Sequence, residues 1–207
     1  LCVPRYLPET SGAGRGHLLA QTLLDTLDNV PGGSFFLCTS YQVMREVAEV
    51  LRARLDRTVL MQGEDNKVRL LEQFSQDGRA VLVATGSFWE GIDVRGKALQ
   101  CVVIDKLPFA APADPVFEAR LDAIRRAGGN PFTDEQLPQA VIALKQGVGR
   151  LIRSERDRGV LVLCDPRLTG KGYGRVFMDS MPPFAVTRDV GQVEAFFKEP
   201  GLVSPGQ

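Results

Sequence analysis

The chain holds a single histidine and a single tryptophan in 207 residues, and its charges cancel, with Lys+Arg and Asp+Glu both at 25. His17 has no cysteine or serine partner in pattern around it and reads as a bystander, so acid–base or triad catalysis through histidine finds little support. A net charge of zero advertises neither a nucleic acid nor a membrane, and any polyanion site must come from local placement of charge. No apolar run reaches the ~18 residues of a membrane-spanning helix, and no basic region followed by a hydrophobic stretch stands at the start. The expectation is a soluble intracellular chain with no membrane partner. Cys2, Cys38, Cys101 and Cys164 are far apart, three of them inside strand-like apolar runs, and no metal or cluster spacing is present. A G-x-x-x-x-G-K-S/T phosphate loop is also missing, since 168–172 (LTGKG) lacks its spacing. The glycine-rich stretch 12–16 (GAGRG) is not G-x-G-x-x-G and follows no strand, which excludes a dinucleotide fingerprint.

What is present is an apolar fraction of 44%, enough in 207 residues for one packed domain, at most with a small extra lobe. Short β-branched runs at 34–38, 58–61, 80–84, 100–104 and 159–164 alternate with helical periodicity, which predicts an α/β domain with a doubly wound, mainly parallel sheet flanked by helices. The helical faces are Leu18, Leu19, Leu23, Leu24 and Leu27; then Val43, Val47, Val50 and Leu51; then Val68, Leu71 and Phe74; then Phe117, Leu121 and Ile124. Thr39 with Gln42, and Thr133 with Gln136, fit capping boxes, while Asp114 before Pro115 fits an N-cap and first-turn pair. A last helix is expected from Thr133 to Arg153. Residues 1–16 read as a linker, 17–197 as the domain and 198–207 as a frayed tail. Five prolines over 105–138 mark an excursion from the regular pattern.

In an open α/β sheet ligands bind beyond the carboxyl ends of the strands, and three segments there carry chemistry. The first is Gln146-Gly147-Val148-Gly149-Arg150-Leu151-Ile152-Arg153. At about 100° per residue, Gln146, Gly149, Arg150 and Arg153 fall on one stripe and Val141, Leu144, Val148, Leu151 and Ile152 on the other side. Two permanently charged planar guanidiniums one turn apart suit a polyphosphate, although an ordinary solvated helix face gives the same pattern. The second is the loop from Thr85 to Asp93, with Gly86, Ser87, Phe88, Trp89, Glu90, Gly91 and Ile92 between. Its hydroxyls and N–H groups fit a phosphate chain and its Asp93 a ribose hydroxyl, while turn and cap roles explain the same residue types. Phe88 and Trp89 either stack a base or pack in the core. The third is Thr39-Ser40 at a helix start, which favours an anion or serves as a plain cap.

Taken together these segments resemble the second RecA-like motor domain of superfamily 2 helicases, in the DinG/YoaA branch related to XPD. Phe35 to Tyr41 is similar to motif IV, Thr85 to Val94 to motif V, Ile104 to Phe109 to the segment after it, and Gln146 to Arg153 to motif VI, continued by Ser154 to Gly159. Lys171, Tyr173, Gly174, Phe177, Ser180, Pro182 and Pro183 match the family's closing segment. The resemblance implies half of an ATP-dependent DNA helicase, 5′-to-3′ by family, acting in repair and replication stress in a bacterial, nucleoid-associated setting. It implies that ATP and Mg²⁺ are held mainly by an N-terminal motor domain not contained in these residues, and that an iron–sulfur cluster, where a member has one, belongs to that domain. Arg150, Arg153 and Gln146 are then the catalytic group. Glu90, Gly91, Asp93 and Gly149 line the nucleotide cleft; Thr39, Ser40, Thr85 and Ser87 face the backbone of single-stranded DNA. A different reading keeps the fold as a non-catalytic nucleic-acid or partner-binding module.

Overall fold

The computed structural model describes residues 1–10, 12–89, 98–110, 114–149 and 158–198, without the side chains of Ser87 and Trp89. Five strands, β1 Gly33–Cys38, β2 Val59–Met61, β3 Val81–Thr85, β4 Leu99–Ile104 and β5 Val160–Leu163, pair in the order β2-β3-β1-β4-β5. All four pairings are parallel. Every residue of β1, β3 and β5 is buried, as expected where both faces of a parallel sheet are covered.

Alternation along the strands divides the core in two. Phe35 and Leu37 of β1 point to the side that holds Leu70 and Phe74 of α3 (Lys67–Asp77), Leu144 and Val148 of α6 (Leu137–Val148) and Phe177 of α8 (Gly174–Ser180). Phe36 and Cys38 point to the side that holds Leu19, Leu23 and Leu27 of α1 (Arg15–Asp28), Val43, Val47 and Leu51 of α2 (Tyr41–Arg54) and Val193 of α9 (Gly191–Lys198). The Phe35 and Phe74 rings meet at 4.7 Å between centroids, so the central strand and α3 share one aromatic contact. Three short or peripheral helices, α4 Gly86–Trp89, α5 Pro115–Arg126 and α7 Arg167–Gly170, complete the order.

The expected doubly wound sheet is therefore present, with each strand within one residue of its expected bounds. Several local expectations differ. Ser40, not Thr39, caps α2, its hydroxyl accepting from the Val43 N–H, because Thr39 is turned to another partner. In α3 the packed face runs through Leu70 and Phe74, and Val68 is exposed; in α1 Leu18 is exposed likewise. The Thr133 capping box does not form. Residues Phe132–Gln136 make one π-helical turn before α6, and Thr133 bonds to the Asn130 carbonyl and the Asp134 carboxylate instead. Asp114 does cap α5, accepting from Val116 and Phe117. Of the long helix expected to reach Arg153, α6 is described as far as Val148, and the tail beyond Lys198 lies outside the described residues.

The segment 1–16, read as a linker, is built into the domain at both of its ends. Cys2 donates its N–H to the Leu161 carbonyl at 2.7 Å and accepts from Leu163 at 2.9 Å, bridging in parallel to Val162 on one side and Thr187 on the other. This covers the outer edge of β5, where unpaired backbone groups otherwise face solvent. Arg15 and Gly16 open α1 and are buried.

Gly174 shows how tightly the closing segment is seated. A Cβ there would lie 2.0 Å from the Leu168 carbonyl oxygen, whereas one at Gly170 would meet nothing within 4 Å. Gly174→Ala is expected to cost about 1–3 kcal/mol of unfolding free energy and Gly170→Ala less than about 0.5 kcal/mol, measured by urea denaturation.

Candidate functional site

The strand order reverses at the centre of the sheet: from β1 the chain winds to β2 and β3 on one side, from β4 to β5 on the other. Outside the carboxyl ends of β1 and β4, where such a fold places ligands, lies a cleft of about 220 Å³. Thr39 enters it from the end of β1, Gly86 from the start of α4, Asp105 and Lys106 from the end of β4, and Gln146 and Gly147 from the last turns of α6. The three segments singled out in the sequence thus meet at one place. Gln146 and Gly149 are exposed on α6 while Leu144, Gly147 and Val148 are buried, as the two-sided pattern requires. Glu90, Gly91, Asp93, Arg150 and Arg153 lie outside the described residues, as does the Ser87 side chain.

The hydroxyls at this edge already have partners. Thr39 Oγ1 donates to Asp105 Oδ2 at 3.0 Å. Thr85 is nearly buried, and both its N–H and its hydroxyl donate to Gln62 Oε1, at 2.7 and 2.9 Å. Ser40 is exposed, its oxygen accepting the α2 cap bond. Phe88 is buried against the α3 side of the sheet with the Lys67 ammonium 5.2 Å from its ring centroid, so of its two readings the core position holds.

Sequence reasoning missed three residues that organise this edge. Gln62 follows β2 directly and Asp105 follows β4 directly, so the carboxyl-end rule applied to 39 and 85 pointed to them as well. Arg15 carried no such signal. Its side chain is buried, and it donates to the carbonyls of Asp105 at 2.7 Å and Cys164 at 2.9 Å, the residues just past β4 and β5, and to those of Pro8 and Glu9. It ties the entry segment to the floor of the cleft. The loop after β4 is held by an ion pair: Asp165 takes a two-pronged guanidinium contact from Arg167 and accepts from the Leu107 N–H at 2.8 Å. Arg167 also lies 5.1 Å from the Phe109 ring centroid, above a cluster of Phe109, Phe132, Tyr173 and Phe177.

Burial alone raises the Asp165 carboxyl, but the Arg167 hydrogen bonds, the Leu107 N–H and the guanidinium charge outweigh it and hold the group below the ordinary carboxylate value. Asp105 goes the other way: burial pushes it up, against the N–H and hydroxyl of Thr39 and the charges of Lys106 and Arg15. Burial pushes the Cys101 thiol up to about 12 and raises Cys38 and Cys164 as well, so these thiols are core groups and not nucleophiles. His17 contacts Glu46 and Glu49 and does not line the cleft. Among the described residues no group of three or more His, Cys, Asp or Glu side chains is placed to hold a metal ion, and no helix is long and apolar enough to cross a membrane.

Fold and cleft position are those of a RecA-like domain, and comparison with known proteins gives the family. The family model described as helicase C-terminal domain matches residues 23–184, and the chain belongs to that family. It is 52% identical over 200 residues to the ATP-dependent DNA helicase YoaA of Escherichia coli, covering 97% of this chain and 31% of that protein. It is 51% identical to YoaA of Haemophilus influenzae, over 96% of this chain and 31% of that protein. To the ATP-dependent helicase DinG of Mycobacterium tuberculosis it is 38% identical, over 94% of this chain and 30% of that protein. These sequences place it in the DinG/YoaA branch, and the chain spans about a third of the length of these relatives. Among solved structures it superposes on an XPD helicase with a TM-score of 0.63 at 19% identity, covering 86% of this chain and 33% of the other. It superposes on the C-terminal domain of the DEAD-box protein Dbp5 with a TM-score of 0.55 at 15% identity, covering 95% and 97%. These two show the shared fold.

The Asp165 pair has a pH signature. A carboxyl held below its unfolded value contributes stability that is present above that value, 3.8 in the free side chain, and is lost as pH falls through the folded value. Unfolding free energy measured from about pH 7 down to about pH 3 is expected to fall less steeply in Asp165→Asn than in the parent. Arg167→Ala is expected to cost about 2 kcal/mol at neutral pH by leaving the carboxylate without its charged donor.

Proposed function

We propose that this chain is the second motor domain of a longer ATP-dependent DNA helicase, completing from across a cleft the ATP site of a first motor domain. The observation that carries this reading is the meeting of Thr39, Gly86 and Gln146, from the segments similar to motifs IV, V and VI, on one cleft at the carboxyl edge of the sheet. That the YoaA and DinG relatives are ATP-dependent helicases supports it.

In this reading ATP, with Mg²⁺, is held mainly by the first domain, as is any iron–sulfur cluster. Arg150 and Arg153 reach the γ-phosphate as arginine fingers and Gln146 helps position it, since planar guanidiniums match phosphate oxygens and stabilise the charge that develops on transfer. Glu90, Gly91, Asp93 and Gly149 line the same side. Nucleotide draws the domains together and hydrolysis releases them, so contacts to single-stranded DNA through Thr39, Ser40, Thr85 and Ser87 advance along the strand. Because those contacts go to backbone, binding tolerates any sequence and weakens with salt. Ser40 keeps its proton free to donate among the described residues, whereas Thr85 must first release Gln62. The 5′-to-3′ direction and a role in DNA repair follow from the family resemblance.

The test is DNA-stimulated ATP turnover of the full-length protein at saturating ATP, with thermal melting as the folding control. Arg153→Ala is expected to lower turnover on the order of 10³-fold or more with little change in folding. Arg150→Ala is also severe, and the double variant costs much less than the product of the two because both act on one phosphoryl group. Lysine at either position rescues poorly. A well-folded Arg153→Ala protein within a few-fold of the parent contradicts the motor reading. The 207-residue chain alone is expected to turn over no appreciable ATP.

A further inference from the structure

A hydroxyl has one proton, and at Thr39 that proton is spent. Thr39 Oγ1 donates to Asp105 Oδ2 at 3.0 Å, so the lone pairs are what remain for a ligand in the cleft. A phosphodiester offers only acceptors, and two acceptors facing each other repel. The side chain proposed above as a DNA-backbone contact therefore has the wrong hydrogen-bonding polarity while Asp105 holds it.

Asp105 is built to be able to change that. It is fully buried, and among the described residues its Oδ1 has no hydrogen-bond partner and neither oxygen is paired to a side-chain cation. Arg15 stands close by but spends one terminal nitrogen on the main-chain carbonyls of Asp105 and Cys164, and its buried Nε has no partner among the described residues. A buried carboxylate with half its acceptor capacity unused is costly in its charged form.

We propose that Asp105 is a positioning residue that sets the hydrogen-bonding polarity of Thr39: with the carboxylate charged, Thr39 faces the cleft as an acceptor, and with the charge removed its hydroxyl proton turns outward to a DNA phosphate. The inference rests on the helicase reading above. Protonated, the carboxyl itself donates to Thr39 Oγ1, and the threonine proton is released to the ligand. The groups facing Asp105 are the Arg15 guanidinium from α1, Lys106 beside it, the Cys38 thiol at the end of β1 and the Cys164 thiol just past β5. The two cations favour the charged form, burial opposes it, and burial is the larger influence. The thiols stay neutral throughout. Lowering the pH therefore drives the exchange, and Asp105→Asn mimics its neutral state, the amide N–H₂ donating to Thr39.

The experiment measures affinity for single-stranded oligo(dT) by fluorescence anisotropy, using the full-length protein without nucleotide. At about pH 8, Asp105→Asn is expected to bind on the order of five-fold more tightly than the parent, the worth of one added neutral hydrogen bond. In the Asp105→Asn/Thr39→Val double variant the gain disappears. A gain that persists there comes from the lost charge alone and overturns the proposal, as does unchanged or weaker binding by a folded Asp105→Asn. A second measurement needs no change at Asp105. The affinity ratio of parent to Thr39→Val is expected to rise as the pH is lowered from about 8 toward the ordinary carboxylate value at about 4, and a ratio that stays constant over that range overturns the proposal. A parent that binds no single strand overturns the helicase reading and this inference with it, whereas binding with a constant ratio overturns this inference alone.

Discussion

A parallel sheet covered on both faces leaves its polar chemistry one outlet. With Phe35 and Leu37 committed to one core and Phe36 and Cys38 to the other, β1 has no side chain to spare until it ends, and Thr39 is the first residue able to meet a ligand. The same holds for β3 before Thr85 and, from Cys101 on, for β4 before Asp105. The carboxyl edge is also where the ladder runs out and carbonyls lose their partners, so the main chain there needs donors from elsewhere. Arg15 supplies them to Asp105 and Cys164 from a segment far away in sequence. One buried guanidinium thereby fixes the ends of two adjacent strands and the path of the incoming chain, and the cleft inherits its shape from that.

The loop after β4 is anchored by the opposite device, a buried carboxylate that collects donors. Asp165 takes the Leu107 N–H and the Arg167 fork, and Arg167 in turn rests on Phe109. The excursion after β4, where the prolines begin, thus leaves the sheet along a fixed track, which keeps Lys106 at the rim of the cleft. The two buried carboxylates, Asp165 and Asp105, shift in opposite directions for a physical reason. Asp165 has a partly exposed cation hydrogen-bonded to both oxygens, while Asp105 has a hydroxyl, an N–H and the more distant charges of Lys106 and Arg15 against its burial, and burial outweighs them.

Much of this was legible in the sequence where local pattern and tertiary need agree. Strands buried on both faces read as continuous apolar runs, as 80–84 and 100–104 do, and all five strands were found from such short apolar runs alternating with helical periodicity; Asp114-Pro115 was a true cap, the carboxylate having no other partner among the described residues. The misreadings come from residues with two possible partners. Thr39 fits a capping box, but Asp105 lies 66 residues away in sequence and wins its hydroxyl, leaving the cap to Ser40. Cys2 looked like linker because strand-edge pairing is a property of the partner strand, not of the residue. Arg15 sat in a glycine-rich stretch dismissed as a nucleotide fingerprint, and its long-range role has no local signature. At the candidate site the sequence identified Thr39 and Gln146 but not Asp105 or Gln62, which act by holding hydroxyls that the sequence had assigned directly to ligand.

The central claim is that the carboxyl edge of this sheet completes a nucleotide site belonging to another domain. Its most direct test is a structure of the full-length protein with a non-hydrolysable ATP analogue and single-stranded DNA. The account predicts the cleft at the ends of β1 and β4 turned toward the bound nucleotide, with the Arg150 and Arg153 guanidiniums within hydrogen-bonding distance, about 3 Å, of the γ-phosphate. A nucleotide held with this edge turned away and neither arginine in reach contradicts it.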